Sequence, residues 1–158
     1  MILATVGTQL PFPRMIEALD RIAGRHSFAV FAQTADRACG ARHLDHAPFL
    51  APDEFTTRAR TADLLVGHAG IGTVLTAKRL GKPLIVYPRR FALGEHRNDH
   101  QMATARWLAD RPGVHVCMKD AELRAIIVAA RSAAGGGGMR KDAPEPFVER
   151  IRDFIASA

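Results

Sequence analysis

A length of 158 residues is typical of one domain, and a hydrophobic content of 47% is enough for a single buried core. No apolar run approaches the roughly 20 residues that span a bilayer, and residues 1–6 lack the basic flank of a signal peptide, so we expect a cytoplasmic protein. The net charge of +6 suits nucleic acid, an anionic membrane surface or an acidic partner. Because the basic residues are scattered and the chain has only one Trp and one Tyr, we expect no nucleic-acid partner.

The first half of the chain predicts parallel strands joined by helices. Its elements are a strand at 1–6, a helix opened by Pro13, a buried strand at 27–33, an irregular stretch at 34–44, a short strand at 46–51 and a helix at 54–61. Pro48 weakens the short strand, because proline cannot donate to a sheet. Asp53 is expected to cap the next helix, since its carboxylate can accept from the free N–H groups of the first turn.

The second half continues the alternation of strand and helix. Its elements are a strand from residue 64, a helix closed by Gly81, a strand at 83–87, a basic loop at 88–97, a helix from Asn98 to about Asp110, a strand at 114–117 and a helix at 121–131. A predicted glycine-rich linker at 135–143 separates the domain at 1–134 from an amphipathic helix at 144–158. This order indicates an α/β, Rossmann-like doubly wound fold with a mainly parallel sheet.

The segment 64–77 runs from an apolar strand through three glycines into a helix. Glycines at the carboxyl end of a strand let a ligand approach the backbone, and the free N–H groups of the following helix favour an anion such as phosphate. A tight turn without a ligand is the alternative. The dinucleotide fingerprint is incomplete because Leu75 stands where its third glycine belongs, and residues 81–83 lack the phosphate-loop pattern. An NAD enzyme and an ATPase are therefore disfavoured.

Three ordered motifs carry a resemblance to a known family: Gly-His-Ala-Gly-Ile-Gly-Thr at 67–73, Gly-Lys-Pro-Leu-Ile-Val at 81–86 and Gly-Glu-His-Arg-Asn-Asp-His-Gln at 94–101. Together they resemble the nucleotide-sugar-binding half of glycosyltransferase family 28. The resemblance is greatest to its short single-domain subunits, which include a dolichol-pathway UDP-GlcNAc transferase subunit and bacterial exopolysaccharide glucuronosyltransferase subunits. It implies the carboxyl-terminal half of a GT-B fold, a UDP-sugar donor, and metal-independent transfer with inversion.

The resemblance also implies roles for individual residues. The diphosphate would be held at two glycine-bearing turns, by Gly7, Thr8, Gln9, Ala69, Gly70, Ile71, Gly72 and Thr73. The donor sugar would be contacted by Glu95, His96, Asn98, His100 and Gln101, and the nucleoside near Phe49, Leu50 and Thr76. Relatives commonly carry a ribose-binding Glu where this chain has Thr76. Binding of one diphosphate by both glycine turns requires that the turns converge in space.

The basic and histidine side chains have alternative interpretations. Arg89 and Arg90 follow a strand end, where guanidinium groups can bind phosphate or a sugar carboxylate, although a solvated surface is the usual alternative. His68 is a candidate catalytic residue, with orientation of the turn as the favoured alternative. His96 and His100 have the spacing of metal ligands beside Glu95, but they straddle a loop and a helix, so we expect no metal site.

The family resemblance further implies a partner. A GT-B enzyme has an acceptor-binding half and a donor-binding half, and the motifs resemble the donor-binding half. We therefore expect a separate, membrane-anchored subunit that binds the acceptor, with a lipid-linked oligosaccharide as acceptor. Through that partner the chain would attach to the inner face of the membrane. Glucuronic acid is the preferred donor sugar, with GlcNAc and glucose as alternatives. The competing hypotheses are a non-catalytic nucleotide-binding or regulatory module and an epimerase-like hydrolytic enzyme.

Overall fold

The computed structural model describes residues 1–133, so the predicted linker at 135–143 and helix at 144–158 lie outside the described residues. The strands are β1 (Ile2–Thr5), β2 (Val30–Gln33), β3 (Asp45–Ala47), β4 (Leu64–Gly67), β5 (Leu84–Val86) and β6 (Val114–Val116). The α-helices are α1 (Pro13–Arg25), α2 (Pro52–Thr61), α3 (Ile71–Leu80), α4 (His100–Leu108) and α5 (Leu123–Ala133), with single 3-10 turns at Phe91–Leu93 and Asp120–Glu122.

The strands form one sheet in the order β3-β2-β1-β4-β5-β6, and every neighbouring pair is parallel. The sheet therefore winds outward in one direction from β1 and in the other from β4. In such a sheet, the carboxyl ends of the two innermost strands diverge into a crevice where ligands bind. The predicted Rossmann-like, doubly wound fold is confirmed.

The core lies on both faces of the sheet, which explains why the strands read as continuous apolar runs. In β1, Ile2 and Ala4 face one layer and Leu3 faces the other, and all three are fully buried. The first layer is completed by α1 and α5, and the second by α2, α3 and α4. The helices thus cover the two faces of the sheet, whereas loops cover its carboxyl edge.

Two predicted helix starts differ from the structure. Helix α2 begins at Pro52, and Asp53 lies inside its first turn without capping it, because proline at the first helical position already has the required φ. Helix α4 begins at His100 after Asp99 rather than directly after Asn98. The Asn98 side chain nevertheless accepts a hydrogen bond from the His100 N–H at 3.3 Å.

The end of α3 is as predicted. Gly81 has a φ of +63° and its N–H donates to the carbonyls of the last helical turn, a conformation that glycine adopts with little cost. Within residues 1–133, no helix is both long and apolar enough to cross a membrane.

Candidate functional site

A crevice of about 610 Å³ opens at the carboxyl edge of the sheet, above β1 and β4. Its volume is in the range of small-molecule sites, whereas two smaller cavities beside α1 measure about 190 and 280 Å³. The predicted site residues that line the crevice are Gly7, Thr8, Gln9, Leu50, His68, Gly70, Ile71, Gly72, Thr73, Thr76, Arg89, His96 and Gln101. Most of the predicted diphosphate set is therefore gathered at one place.

The two glycine turns meet at the ring of His68. A Cβ atom placed on Gly7 would lie 2.8 Å from Cε1 of this ring, and one placed on Gly70 would lie 2.3 Å from its Nε2. Gly7 also has a φ of +83°, which favours glycine independently of the contact. Because a Cβ at either position would clash with the same imidazole, the two turns converge, as binding of one diphosphate by both would require.

Helix α3 presents unused donors to this crevice. Its N-cap is Gly70, which has no side chain to cap the helix, and within the described residues the N–H groups of Ile71, Gly72 and Thr73 donate to no acceptor. Three free N–H groups at the positive end of a helix dipole form an anion site. The arrangement fits a phosphate group of a nucleotide.

His68 is held as a neutral ring beneath the crevice. Burial, together with the nearby Arg89 charge, lowers its pKa to about 4, and Nδ1 is buried without a partner in the described part of the chain. An imidazole with this pKa is a weak base at neutral pH. The contacts of His68 with both glycine turns therefore support an orienting role more directly than a catalytic one.

Arg89 lines the crevice but uses its guanidinium on the backbone. It is 3% exposed, and it donates to the carbonyls of Val6, Leu10 and Pro11 at 3.2, 2.6 and 2.7 Å. The guanidinium also lies 4.4 Å from the centre of the Phe12 ring. Arg89 therefore fixes the loop after β1, which is a different role from the predicted binding of phosphate or a sugar carboxylate.

Arg90 and Glu95 lie outside the crevice lining, in contrast to the predicted sugar contacts. Arg90 donates to the carbonyl of Met118. The two carboxylate oxygens of Glu95 accept from Nε and Nη2 of Arg14 at 2.5 and 2.9 Å and from the Arg90 N–H at 2.8 Å. The Glu95 carboxylate is thus engaged within the protein, because α1 brings Arg14 across to this loop, whereas Nε of Arg90 is buried without a partner among the described residues.

Gln101 and His96 are the members of the third motif that reach the crevice. Gln101 is 8% exposed, and its Oε1 accepts from the Arg89 N–H at 3.0 Å, which leaves the Nε2 amide as a donor for a ligand. His96 has Nδ1 at 3.2 Å from Oδ1 of Asn98. Asn98 and the exposed His100 do not line the crevice.

The predicted nucleoside contacts are only partly brought together. Leu50 and Thr76 line the crevice, whereas Phe49 is 48% exposed and lies outside the lining. The Thr76 hydroxyl donates to the Gly72 carbonyl at 2.9 Å, so it is engaged with its own helix. Ala69, from the predicted diphosphate set, is buried and also outside the lining.

Several lining residues were not predicted from the sequence. Two of them, Gln33 and Thr5, support the turn at Gly7. Gln33 is 4% exposed and donates from Nε2 to the Gly7 carbonyl at 3.0 Å, while the Thr5 hydroxyl accepts from the Gly7 N–H at 3.1 Å. Polar residues at the ends of two buried strands are the signal that could have identified them. The other missed lining residues are Val6, Leu10, Pro52, Phe55 and Thr56.

Comparisons with known proteins agree with this geometry. Residues 29–133 match the model of the glycosyltransferase family 28 C-terminal domain. Over 74 residues the chain is 40% identical to the UDP-N-acetylglucosamine--N-acetylmuramyl-(pentapeptide) pyrophosphoryl-undecaprenol N-acetylglucosamine transferase of Phenylobacterium zucineum (strain HLK1), covering 47% of this chain and 19% of that protein.

Two solved structures share the fold. The crystal structure of Acinetobacter baumannii MurG is similar with a TM-score of 0.66 and 21% identity, over 99% of this chain and 49% of that chain. The solution structure of ALG13 is similar with a TM-score of 0.56 and 16% identity, over 95% of this chain and 93% of that chain. The chain thus spans about half of MurG and a smaller part of the Phenylobacterium enzyme. The match of the family model to most of the described residues shows that the chain belongs to glycosyltransferase family 28, whose C-terminal domain it contains.

Proposed function

We propose that this chain binds the UDP-sugar donor, as the catalytic subunit of a metal-independent, inverting glycosyltransferase that acts on a lipid-linked oligosaccharide in exopolysaccharide assembly. The observation that carries the proposal is the crevice between β1 and β4, where Gly7 and Gly70 converge beside the free N–H groups of α3. The name of the Phenylobacterium relative, which includes a UDP-sugar and a pyrophosphoryl-undecaprenol acceptor, supports the same classes of donor and acceptor.

The proposed mechanism uses backbone donors at the leaving group. The N–H groups of Ile71, Gly72 and Thr73 would hold the diphosphate and stabilise the negative charge that develops on UDP as the sugar bond breaks. Gln101 would donate from Nε2 to a sugar hydroxyl, with His96 beside it. No metal is required in this scheme, because fixed N–H dipoles supply the electrostatic stabilisation.

The donor sugar is proposed on the resemblance alone. Glucuronic acid is the first candidate, since the segment 88–101 resembles that of exopolysaccharide glucuronosyltransferase subunits, and GlcNAc and glucose are the alternatives. The two arginines give no support for a donor that carries a carboxylate, because Arg89 donates to three backbone carbonyls and Arg90 donates to the carbonyl of Met118. The donor is therefore to be found by a panel of UDP-sugars.

Nucleotide binding tests the first step of this proposal. Calorimetry with UDP, ADP, GDP and NAD should show a preference for UDP, and the addition of UDP-glucuronate, UDP-GlcNAc and UDP-glucose should then identify the sugar. Equal affinity for all four nucleotides, or no binding of UDP, would contradict a donor site in this crevice.

A membrane-anchored acceptor-binding partner is the second part of the proposal. Two large apolar side chains that line the crevice are exposed, Leu10 at 50% and Ile71 at 63%, and Leu75 on the same helix as Ile71 is 57% exposed. Exposed apolar clusters mark interaction sites. Such a partner would place this chain at the inner face of the membrane. Co-purification with that partner, and sugar transfer only when both chains are present, are the expected results. Full transferase activity of this chain alone would refute the partner.

A non-catalytic nucleotide-binding module is the second candidate function. It is favoured by Thr76, whose hydroxyl is engaged with Gly72, and by the low pKa of His68. Both candidates bind UDP, so turnover in the presence of the partner distinguishes them. Release of UDP from a UDP-sugar without any acceptor would instead indicate the hydrolytic alternative.

A further inference from the structure

A partly buried charge network joins α1 to the segment between β5 and α4. Arg14 donates from Nε and Nη2 to the two oxygens of Glu95 at 2.5 and 2.9 Å, and from Nη2 to the Pro88 carbonyl at 2.9 Å. Its Nη1 donates to Asp120 at 2.8 Å. The Arg14 and Glu95 side chains are 17% and 11% exposed, so this forked pair is shielded from solvent more than a typical surface ion pair.

Glu95 closes the segment 90–95 into a compact loop. Its carboxylate accepts from the Arg90 N–H at 2.8 Å, while the Arg90 carbonyl accepts from the N–H groups of Leu93 and Glu95, each at 3.2 Å. The next residue is His96, which lines the crevice. The Arg14 pair therefore sets where this part of the crevice wall begins.

Two arginines connect the segment after β5 with the loop after β1 and with α1. Arg89, from the loop after β5, donates to carbonyls of the loop after β1, and Arg14, beyond the β1 loop, donates back to the loop after β5. Both guanidinium groups lie against the ring of Phe12, at 5.3 Å for Arg14 and 4.4 Å for Arg89. Arg89 therefore holds the loop after β1, whereas Arg14 holds the loop after β5.

The network keeps Arg14 charged. Burial opposes its charge, but the hydrogen bonds to Glu95 and Asp120 outweigh that effect and raise the pKa of Arg14 above its ordinary value. The guanidinium also stacks 4.5 Å from the Tyr87 ring, whose hydroxyl donates to Asp120 at 2.5 Å. Arg14 is thus fixed on several sides, and a side chain so held can position another.

Building on the proposed function, we propose that the Arg14–Glu95 pair positions the crevice wall that contacts the donor sugar, while the glycine turns bind the diphosphate independently of it. Neither Arg14 nor Glu95 lines the crevice, so both act through the loop as positioning residues. The inference predicts a specific pattern: loss of the pair weakens the sugar-dependent part of binding and leaves the affinity for UDP unchanged.

The test compares Kd values for UDP and for the UDP-sugar that the donor panel selects. In Glu95→Gln, which keeps an acceptor for Arg90 but removes the charge, the ratio of Kd for the UDP-sugar to Kd for UDP should rise about tenfold, the effect of roughly one misplaced hydrogen bond. Arg14→Lys keeps the charge without the forked geometry and should shift the ratio in the same direction. If the Gln variant is too unstable to measure, Arg14→Lys decides alone.

Asp63→Asn is the matched control, since it weakens an ion pair with Arg131 and the amino terminus at the opposite edge of the sheet. It should leave the ratio unchanged. Equal weakening of UDP and UDP-sugar in Glu95→Gln, or an unchanged ratio, would overturn the positioning role and show that the pair only supports the fold. Failure of the wild-type chain to bind any UDP-sugar would instead count against the proposed function.

Discussion

The glycine contacts at His68 give the most direct test of the crevice. Gly70 has φ −90° and ψ 135°, which alanine adopts freely, so a Gly70→Ala variant carries a steric cost only. Its Cβ would lie 2.3 Å from Nε2 and 2.8 Å from Cε1 of His68, so the ring must leave its position between the two glycine turns. Overpacking of this kind destabilises by about 1–3 kcal/mol, or a fall in Tm of about 2–12 °C for a chain of this size.

Gly72 is the matched control, because a Cβ at Gly72 would meet no atom of the described chain within 4 Å. Alanine in a helix is favoured over glycine by up to about 1 kcal/mol, so Gly72→Ala should keep or raise the Tm. If the open space above Gly72 is where the diphosphate binds, the same variant should weaken UDP binding by about tenfold or more, equivalent to about 1.4 kcal/mol. Stability and affinity should therefore change in opposite directions.

Thermal unfolding and UDP calorimetry on the two variants are the assay. A double variant, His68→Ala with Gly70→Ala, adds a check on mechanism, because removal of the ring should abolish most of the Gly70→Ala penalty. Equal Tm losses in the two single variants would refute the contact with His68. Unchanged UDP affinity in Gly72→Ala would refute the placement of the diphosphate.

Three further predictions follow from side chains around the crevice. The pKa of His68 is about 4 in the folded chain against 6.5 in the unfolded chain, so the unfolded chain takes up the proton first as pH falls. Stability is therefore present above pH 6.5 and lost toward pH 4, by at most about 3 kcal/mol, and thermal scans from pH 7 to 4.5 should show a shallower loss in His68→Gln. Arg90→Ala should change the Kd of UDP-glucuronate and the Kd of UDP-glucose by the same factor. Arg89→Met should weaken the binding of UDP itself and lower the Tm. A loss of affinity confined to UDP-glucuronate in either variant would indicate that the arginine binds the sugar carboxylate. Thr76→Glu should tighten UDP binding by calorimetry while Thr76→Gln does not, because the resemblance assigns a ribose-binding carboxylate to this position.

The fold and the glycine turns were predictable because their signals are local. Buried parallel strands are continuous apolar runs, and β4 followed by glycines and a helix can be read within the segment 64–77. The convergence of Gly7 with Gly70 then follows from a doubly wound sheet, which brings strand ends to one edge. Boundaries were less accurate where proline or a second polar residue competed for the helix start, as at Pro52 and Asn98.

The roles of the charged residues were not predictable, because their partners are distant in sequence. Arg89 reaches carbonyls 78 to 83 residues away, and Arg14 and Glu95 are separated by 81 residues. A charged residue near a strand end gives the same sequence signal whether it meets a ligand or a backbone carbonyl. Only the strand order decides between them, since it places the loops after β1 and β5 on either side of β4.

The third motif shows how helix geometry divides a contiguous signature. Residues 94–101 resemble one ligand-binding unit, yet the structure brings only His96 and Gln101 to the crevice. Helix α4 begins at His100, and successive residues of a helix point about 100° apart, so Gln101 lines the crevice while His100 points away from Gln101 and is exposed. The Arg89 N–H donates to Oε1 of Gln101 and so fixes the orientation of this amide. Arg89 therefore has two roles: its side chain binds the loop after β1, and its backbone N–H orients the Gln101 amide in the crevice. Both contacts depend on the path of the chain where it leaves β5.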